Sequence, residues 1–176
     1  PAADGSTFSK AFFCSSGSEA NDTAMKMVWY YQAARGKPEK RKIISRRRGY
    51  HGVTMAAASM TALAYAQNGF GLPLDFVKHT TTPDYYNEGR DGESEAEFTA
   101  RCAAELEALI IEEGPETVGA LFAEPVMGAG GVIIPPAGYF AAIREGLERH
   151  DVLLVADEVI CGFGRTGEMW GSQTMD

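Results

Sequence analysis

Three short apolar runs set the limits on how this chain can fold. Residues 42–45, 118–123 and 153–156 are too short for helices and rich in branched side chains, which suits buried parallel strands. Segments of helical spacing lie between them. Ser94 and Glu97 stand at capping-box distance and open a stripe of Phe98, Cys102, Leu106, Leu109 and Ile110, which Gly114-Pro115 stops. Tyr139, Phe140, Ile143 and Leu147 form a shorter stripe before the last run. Near the start, Ser16 and Glu19 repeat the capping spacing, and Ala20, Ala24, Met27, Val28 and Tyr31 keep helical period until Gly36 and Pro38 break it. Residues 11–14 read as a further short strand and 53–66 as a helix, while 68–92 is turn-rich with Phe76-Val77 as a strand. Strands alternating with helices predict βαβ units, hence an α/β fold of three layers with a mostly parallel sheet. No repeat, low-complexity tract or linker divides residues 1–176, so they read as part of one domain.

Composition excludes several functions. A net charge of −8 opposes a nucleic-acid surface, and Arg46-Arg47-Arg48, the only dense basic run, is too short to override it. Cys14, Cys102 and Cys161 are odd in number and contain no C-x-x-C, which argues against a disulfide framework or a metal site. They suit a reducing compartment, and cytoplasmic is the expected location. No stretch approaches a membrane span and no signal-peptide pattern is present, so no membrane partner is expected. The chain does not begin with Met, as a piece cut from a longer protein would not.

The chemistry gathers in four places. A strand, then Ser16-Gly17-Ser18, then a helix forms an anion site, because free backbone N–H groups and the helix dipole face the ligand. Gly17 lets the backbone come close and the Ser18 hydroxyl can add a hydrogen bond, although capping alone also explains such a start. Asp157 and Glu158 follow the run 153–156, and the crevice outside strand carboxyl ends is where open α/β sheets bind ligands. The bland alternative is a pair of carboxylates facing water. Tyr50 supplies an aromatic plate, or else a core aromatic, and His51 beside it either joins the site or is a hydrogen-bonded loop residue. Glu124 is a second strand-end carboxylate. Phosphate, ring face and cationic ring nitrogen are the three handles of pyridoxal phosphate, whose ring a fixed carboxylate keeps protonated and electron-accepting.

Taken together, Ser16-Gly17-Ser18-Glu19-Ala20-Asn21-Asp22, Tyr50-His51-Gly52, Glu124-Pro125-Val126 and Asp157-Glu158-Val159 with Gly162-Phe163-Gly164-Arg165-Thr166-Gly167 closely resemble the class III aminotransferases. Within that class the chain looks most like ω-amino acid or amine:pyruvate transaminases. The resemblance implies the pyridoxal-phosphate-binding large domain of fold type I, with the N-terminal segment and C-terminal small domain absent. It implies that Gly17 and Ser18 hold the cofactor phosphate, that Tyr50 and Val159 cover the two ring faces, that Asp157 pairs with the ring nitrogen, and that His51 and Glu124 lie near the cofactor. Its implied partners are a small amine donor and a 2-oxo acid acceptor, and its implied assembly is a homodimer.

Two departures from the family stand out. The catalytic lysine of the family, nucleophile and general base at once, lies downstream of the Asp-Glu-Val motif, and no lysine follows Lys78 here. Met127 stands where many relatives have Gln beside the ring oxygen, and a thioether cannot donate a hydrogen bond. A further position bears on substrate. In the ornithine and γ-aminobutyrate branches a Glu five residues after the first Glu of this motif gates an arginine, and Ala129 occupies that place. A nucleotide-hydrolysing reading of the strand before Asp157 fails, because G-x-x-x-x-G-K-[ST] is absent. A class III aminomutase or decarboxylase, and a non-catalytic cofactor-binding or dimerisation fragment, remain open alternatives.

Residues 1–176 expressed alone are therefore expected to show no transamination in a coupled amine-to-keto-acid assay. Turnover by a clean preparation would show that the missing lysine is dispensable.

Overall fold

The computed structural model describes residues 10–175. Helix α1, Gly17–Ala34, starts at Ser16, whose extended backbone frees its hydroxyl to accept the Glu19 N–H at 3.2 Å. The Glu19 carboxylate turns back to the Ser15 N–H at 2.8 Å, so the expected capping box is displaced by one residue. The buried face is also shifted. It comprises Asn21, Met25, Val28 and Gln32, while Met27 and Tyr31 of the expected stripe are exposed. Two polar residues on the inner face find partners across the molecule, and that decides the helix rotation against apolar spacing.

Strand β1, Lys42–Arg46, is followed by helix α2, Met55–Met60, and by the short helix α3, Ala64–Gln67. The single helix expected over 53–66 is thus broken. Ala62 leaves the helical ladder to give its N–H to the Gly49 carbonyl at 3.0 Å, and its own carbonyl accepts from Arg48 at 3.2 Å. Asp22 supplies the cap that Thr54 does not make, accepting the Ala57 N–H at 3.0 Å. Strand β2, Val77–Thr80, and helix α4, Tyr85–Glu88, occupy the turn-rich region. Helix α5, Glu95–Glu113, carries the full capping box of Ser94 and Glu97. It buries Phe98, Cys102, Leu106 and Ile110, with Leu109 half-buried at the edge. Strand β3, Val118–Ala123, helix α6, Tyr139–Arg149, and strand β4, Leu153–Ala156, complete the order, before a 3-10 turn at Gly171–Gln173.

All strand pairs are parallel, in the order β2-β1-β3-β4. Alternate side chains leave opposite faces. Ile44, Leu121 and Ala123 pack under α5 and α6, while Ile43, Val77, Ala120 and Phe122 pack under α1 and α2. The result is the expected three layers. Residues 11–14 do not form the expected strand: they lie exposed, with Phe13 90% accessible, and pair with no strand among the described residues. Strand β4 lies at the described edge of the sheet and is only half-buried, less than a central strand would be. Among the described residues no helix is long and apolar enough to cross a membrane.

Lys40 closes the far end of the sheet. Its buried ammonium donates to the carbonyls of Pro115 at 2.8 Å, Val118 at 3.0 Å and His150 at 2.9 Å, which uses all three donors. Lys40→Met should lower the unfolding free energy of the complete protein by on the order of 2 kcal/mol, since the carbonyls lose their partners without gaining water. Denaturant titration measures this, and an unchanged midpoint would show that water replaces the ammonium.

Candidate active site

The loops that leave β1, β3 and β4 converge at one edge of the sheet, with the N-terminus of α1 beside them. Chain order reverses between β1 and β3, since β2 lies on the other side of β1. That is the switch point where open parallel sheets form a crevice.

Asp157 is the buried charge of this edge. Its backbone N–H still pairs with the Ala123 carbonyl at 2.9 Å, so the carboxylate is held at the end of β4. Oδ2 accepts from Asn21 Nδ2 at 2.8 Å and meets His51 Nδ1 at 2.8 Å, and Oδ1 accepts the Val159 N–H at 3.2 Å. A carboxylate has no proton to give, so Nδ1 of His51 is the donor. Burial pushes the Asp157 carboxyl up, but the His51 hydrogen bond and charge, Asn21 and the Val159 N–H together hold it below the usual carboxylate range. Glu158 has a different task. It accepts from Gly171 at 2.9 Å and Ser172 at 2.7 Å and folds the following loop back on itself.

The loop carrying Tyr50 and His51 is held almost wholly by side chains. Tyr50 donates its N–H to Glu124 Oε1 at 3.1 Å, His51 and Gly52 donate theirs to Thr61 Oγ1 at 2.7 and 3.1 Å, and Val53 donates to Ser18 Oγ at 3.0 Å. Thr61 returns its own proton to the Gly52 carbonyl at 3.0 Å. Gly52 has φ of +131°, and a Cβ there would collide with Ser18, so only glycine allows this approach. The His51 carbonyl accepts from Asn21 at 2.8 Å, which makes Asn21 the bridge between loop, helix and Asp157.

Gly17 and Val159 meet directly, because a Cβ on Gly17 would lie 3.0 Å from Val159 Cγ2. Val159 is 70% exposed, an apolar side chain left open at the crevice. The N–H groups of Gly17 and Ser18 head α1 with no acceptor among the described residues. The Ser18 oxygen already accepts from Val53, so its hydrogen remains to be donated outward. Tyr50 is half-buried on its loop. These groups suit a flat ligand with an anionic end and a protonated ring nitrogen. The site is defined by this buried charge and not by volume. A groove of about 880 Å³ opens elsewhere, between Arg48, Asp84, Arg90 and Val132.

Gly17, Ser18, Tyr50, His51, Asp157 and Val159 thus share one edge, as expected from the sequence. Glu124 sits beside them but spends both oxygens on backbone N–H groups, Oε2 on Gly128 at 3.0 Å. Met127 departs further from expectation. It has no exposed surface and its backbone pairs with Ile133. The sequence reading missed Asn21 and Thr61. Asn21 could have been found as a polar residue one turn after Gly17 on the inner face of α1. Thr61 had no signal, since it lay inside an apparent helix.

Comparison with known proteins bears on this arrangement. Residues 2–176 match the family Aminotransferase class-III. Gamma aminobutyrate transaminase 1, mitochondrial, of Solanum lycopersicum is 55% identical over 163 residues, which is 93% of this chain and 32% of that protein. Vanillin aminotransferase of Capsicum frutescens is 54% identical, over 93% of this chain and 36% of that protein. The omega transaminase of Pseudomonas jessenii in complex with PMP superimposes with a TM-score of 0.93 at 56% identity, covering 95% of this chain and 37% of its own. A transaminase solved with L-alanine gives 0.92 at 58% identity, covering 96% and 39%. The chain spans about a third of the length of the curated relatives it matches.

The Asp157 network carries a pH dependence. Because its folded pKa is depressed, its contribution to stability is present above the unfolded value of about 3.9 and is lost as pH falls through the lower folded value. Asn21→Leu removes one donor and should move acid unfolding of the cofactor-free complete protein to higher pH. Far-ultraviolet circular dichroism against pH reads the onset, and an unmoved onset would leave His51 and the Val159 N–H as sufficient support for the carboxylate.

Proposed function

This chain belongs to the class III aminotransferases, and from that premise we propose that the complete protein moves an amino group from an amine or ω-amino acid to a 2-oxo acid, using pyridoxal phosphate. The family uses this cofactor. The observation that carries the reading is the buried, hydrogen-bonded Asp157 at a strand end that also presents the free N–H groups of α1. In this reading residues 1–176 are part of the large cofactor-binding domain.

Bound here, pyridoxal phosphate supplies an electron-accepting ring and the carbon that carries nitrogen between donor and acceptor. The Gly17 and Ser18 N–H groups and the Ser18 hydroxyl bind its phosphate, with the positive end of α1 behind them. Asp157, held ionised by His51 and Asn21, keeps a proton at the ring nitrogen. His51 and Asn21 also fix the direction of that carboxylate, so no reorganisation is needed when charge moves. The open side chain of Val159 would exclude water from one ring face, and the half-buried Tyr50 would cover the other. In this reading the base at the substrate carbon is the family's lysine downstream of the Asp-Glu-Val motif, a role that no residue of 158–176 fills.

Pyruvate is the acceptor we favour. Ala129 is exposed and uncharged, so no carboxylate at this position can pair with and mask an arginine for a dicarboxylic acceptor. The relative solved with L-alanine, the amination product of pyruvate, supports this choice. The relatives named for γ-aminobutyrate and vanillin support a donor bearing a primary amine at a chain end. A homodimer and a cytoplasmic location complete the proposal. Exposed Phe12, Phe13 and Val53 near the site support the first, and three free cysteines support the second.

Two measurements on the complete protein test this. Asp157→Asn should retain pyridoxal phosphate but lose at least about a hundredfold in turnover, the scale of removing one preorganised electrostatic group; near-full activity would reduce Asp157 to a structural carboxylate. With 1-phenylethylamine or β-alanine as donor, pyruvate should be preferred over 2-oxoglutarate and yield alanine. A preference for 2-oxoglutarate would return the chain to the ornithine-like or γ-aminobutyrate-like branches, and a rearranged or decarboxylated product would make it an aminomutase or a decarboxylase.

A further inference from the structure

Glu124 is 4% exposed, and no cation is salt-bridged to it among the described residues. Among the described residues, the partners of its carboxylate oxygens are two backbone N–H groups. Oε1 accepts from Tyr50 at 3.1 Å and Oε2 from Gly128 at 3.0 Å. These donors lie on different loops, one leaving β1 and one leaving β3. Burying a carboxylate is costly, and a turn needs no charge to close it. What only a carboxylate offers is two acceptor oxygens and no donor, so it can take an N–H on each side at once. Gln would turn its amide hydrogens toward one of the two N–H groups.

The surroundings leave this side chain little freedom. The buried guanidinium of Arg46 donates to the Glu124 carbonyl and lies 6.0 Å from the Tyr139 ring centroid and 5.9 Å from that of Phe140. Gly128 lies so close to Ile160 that any Cβ would collide with it. Arg48, paired with Asp84 at 2.7 Å, donates to the Gly130 carbonyl at 2.6 Å. The glycine-rich loop is therefore pressed against the residue after Val159 on one side and tied to the Tyr50 loop on the other.

We propose that Glu124 is a positioning residue whose carboxylate couples the Tyr50 loop to the Gly128–Gly131 loop, so that the aromatic plate and the loop bearing Ala129 move as one body. With both oxygens taken by backbone N–H groups, it acts through the two loops. The proposal rests on the reading of this crevice as a pyridoxal-phosphate site, but the clamp itself exists without the cofactor and can be tested separately.

The test uses the complete protein as wild type, Glu124→Ala and Glu124→Gln. In the cofactor-free form, hydrogen–deuterium exchange should accelerate about tenfold in both segments 49–53 and 127–131 of E124A, the scale of losing one buried hydrogen bond in each. In E124Q, which keeps one acceptor, a single segment should accelerate, and α5 should be unchanged in both variants. Should E124A fail to fold, E124Q alone decides. Added pyridoxal phosphate should bind E124Q several-fold more weakly than wild type, with a reduced visible circular-dichroism band that reports ring orientation. Acceleration of only one segment in E124A, unchanged exchange in both variants, or a wild-type cofactor band in E124Q would overturn the proposal. Wild-type protein that binds no pyridoxal phosphate would instead sink the cofactor reading, while the exchange data still judged the clamp.

Discussion

One carboxylate oxygen, Oδ2 of Asp157, is where the elements of this site meet. Asn21 reaches it from α1 and His51 from the loop after β1, while Asp157 itself ends β4. A carboxylate at 7% exposure is costly unless its lone pairs are filled. The two donors fill one oxygen and the Val159 N–H leaves capacity on the other. The same bonds that make the burial tolerable aim the charge at the crevice. A change to Asn21 or His51 thus reaches both the cost of the burial and the direction of the charge.

The loops around that charge are built by an unusual division of labour. Four successive N–H groups, from Tyr50 to Val53, go to side chains of Glu124, Thr61 and Ser18. Backbone pairing would have flattened this segment into the sheet. Side-chain acceptors from three separate elements let it turn over the strand ends and still leave no buried N–H unpaired. This explains why α2 stops at Met60. Thr61 is needed as an acceptor, and Ala62 is needed to pair with Gly49.

The sheet supplies the frame for these bonds. Parallel strands put the carboxyl ends of β1, β3 and β4 on one edge, and cores on both faces fix their spacing. The loops vary while their anchors do not. Lys40 secures the opposite end by satisfying three carbonyls with one ammonium, so the frame is closed at both ends by buried polar groups.

The sequence by itself determined the class of fold, the strand runs 42–45, 118–123 and 153–156, and the four motifs from which the site is proposed. Strand runs such as 118–123 and the stripe from Phe98 to Ile110 are legible because burial imposes local periods of two and 3.6 on the chain. The motifs are legible because glycine turns and strand-end carboxylates have causes that act within a few residues. Tertiary structure alone decided the rest. It rotated α1 to bury Asn21 and Gln32, whose partners lie 136 and 87 residues away. It ended α2 at Met60, left residues 11–14 without a strand partner among the described residues, and buried Met127. It also gave both oxygens of Glu124 a backbone N–H from a different loop, Tyr50 and Gly128. Hydrogen bonds between distant residues leave no periodic trace, because their geometry exists only once the sheet has brought the strand ends together.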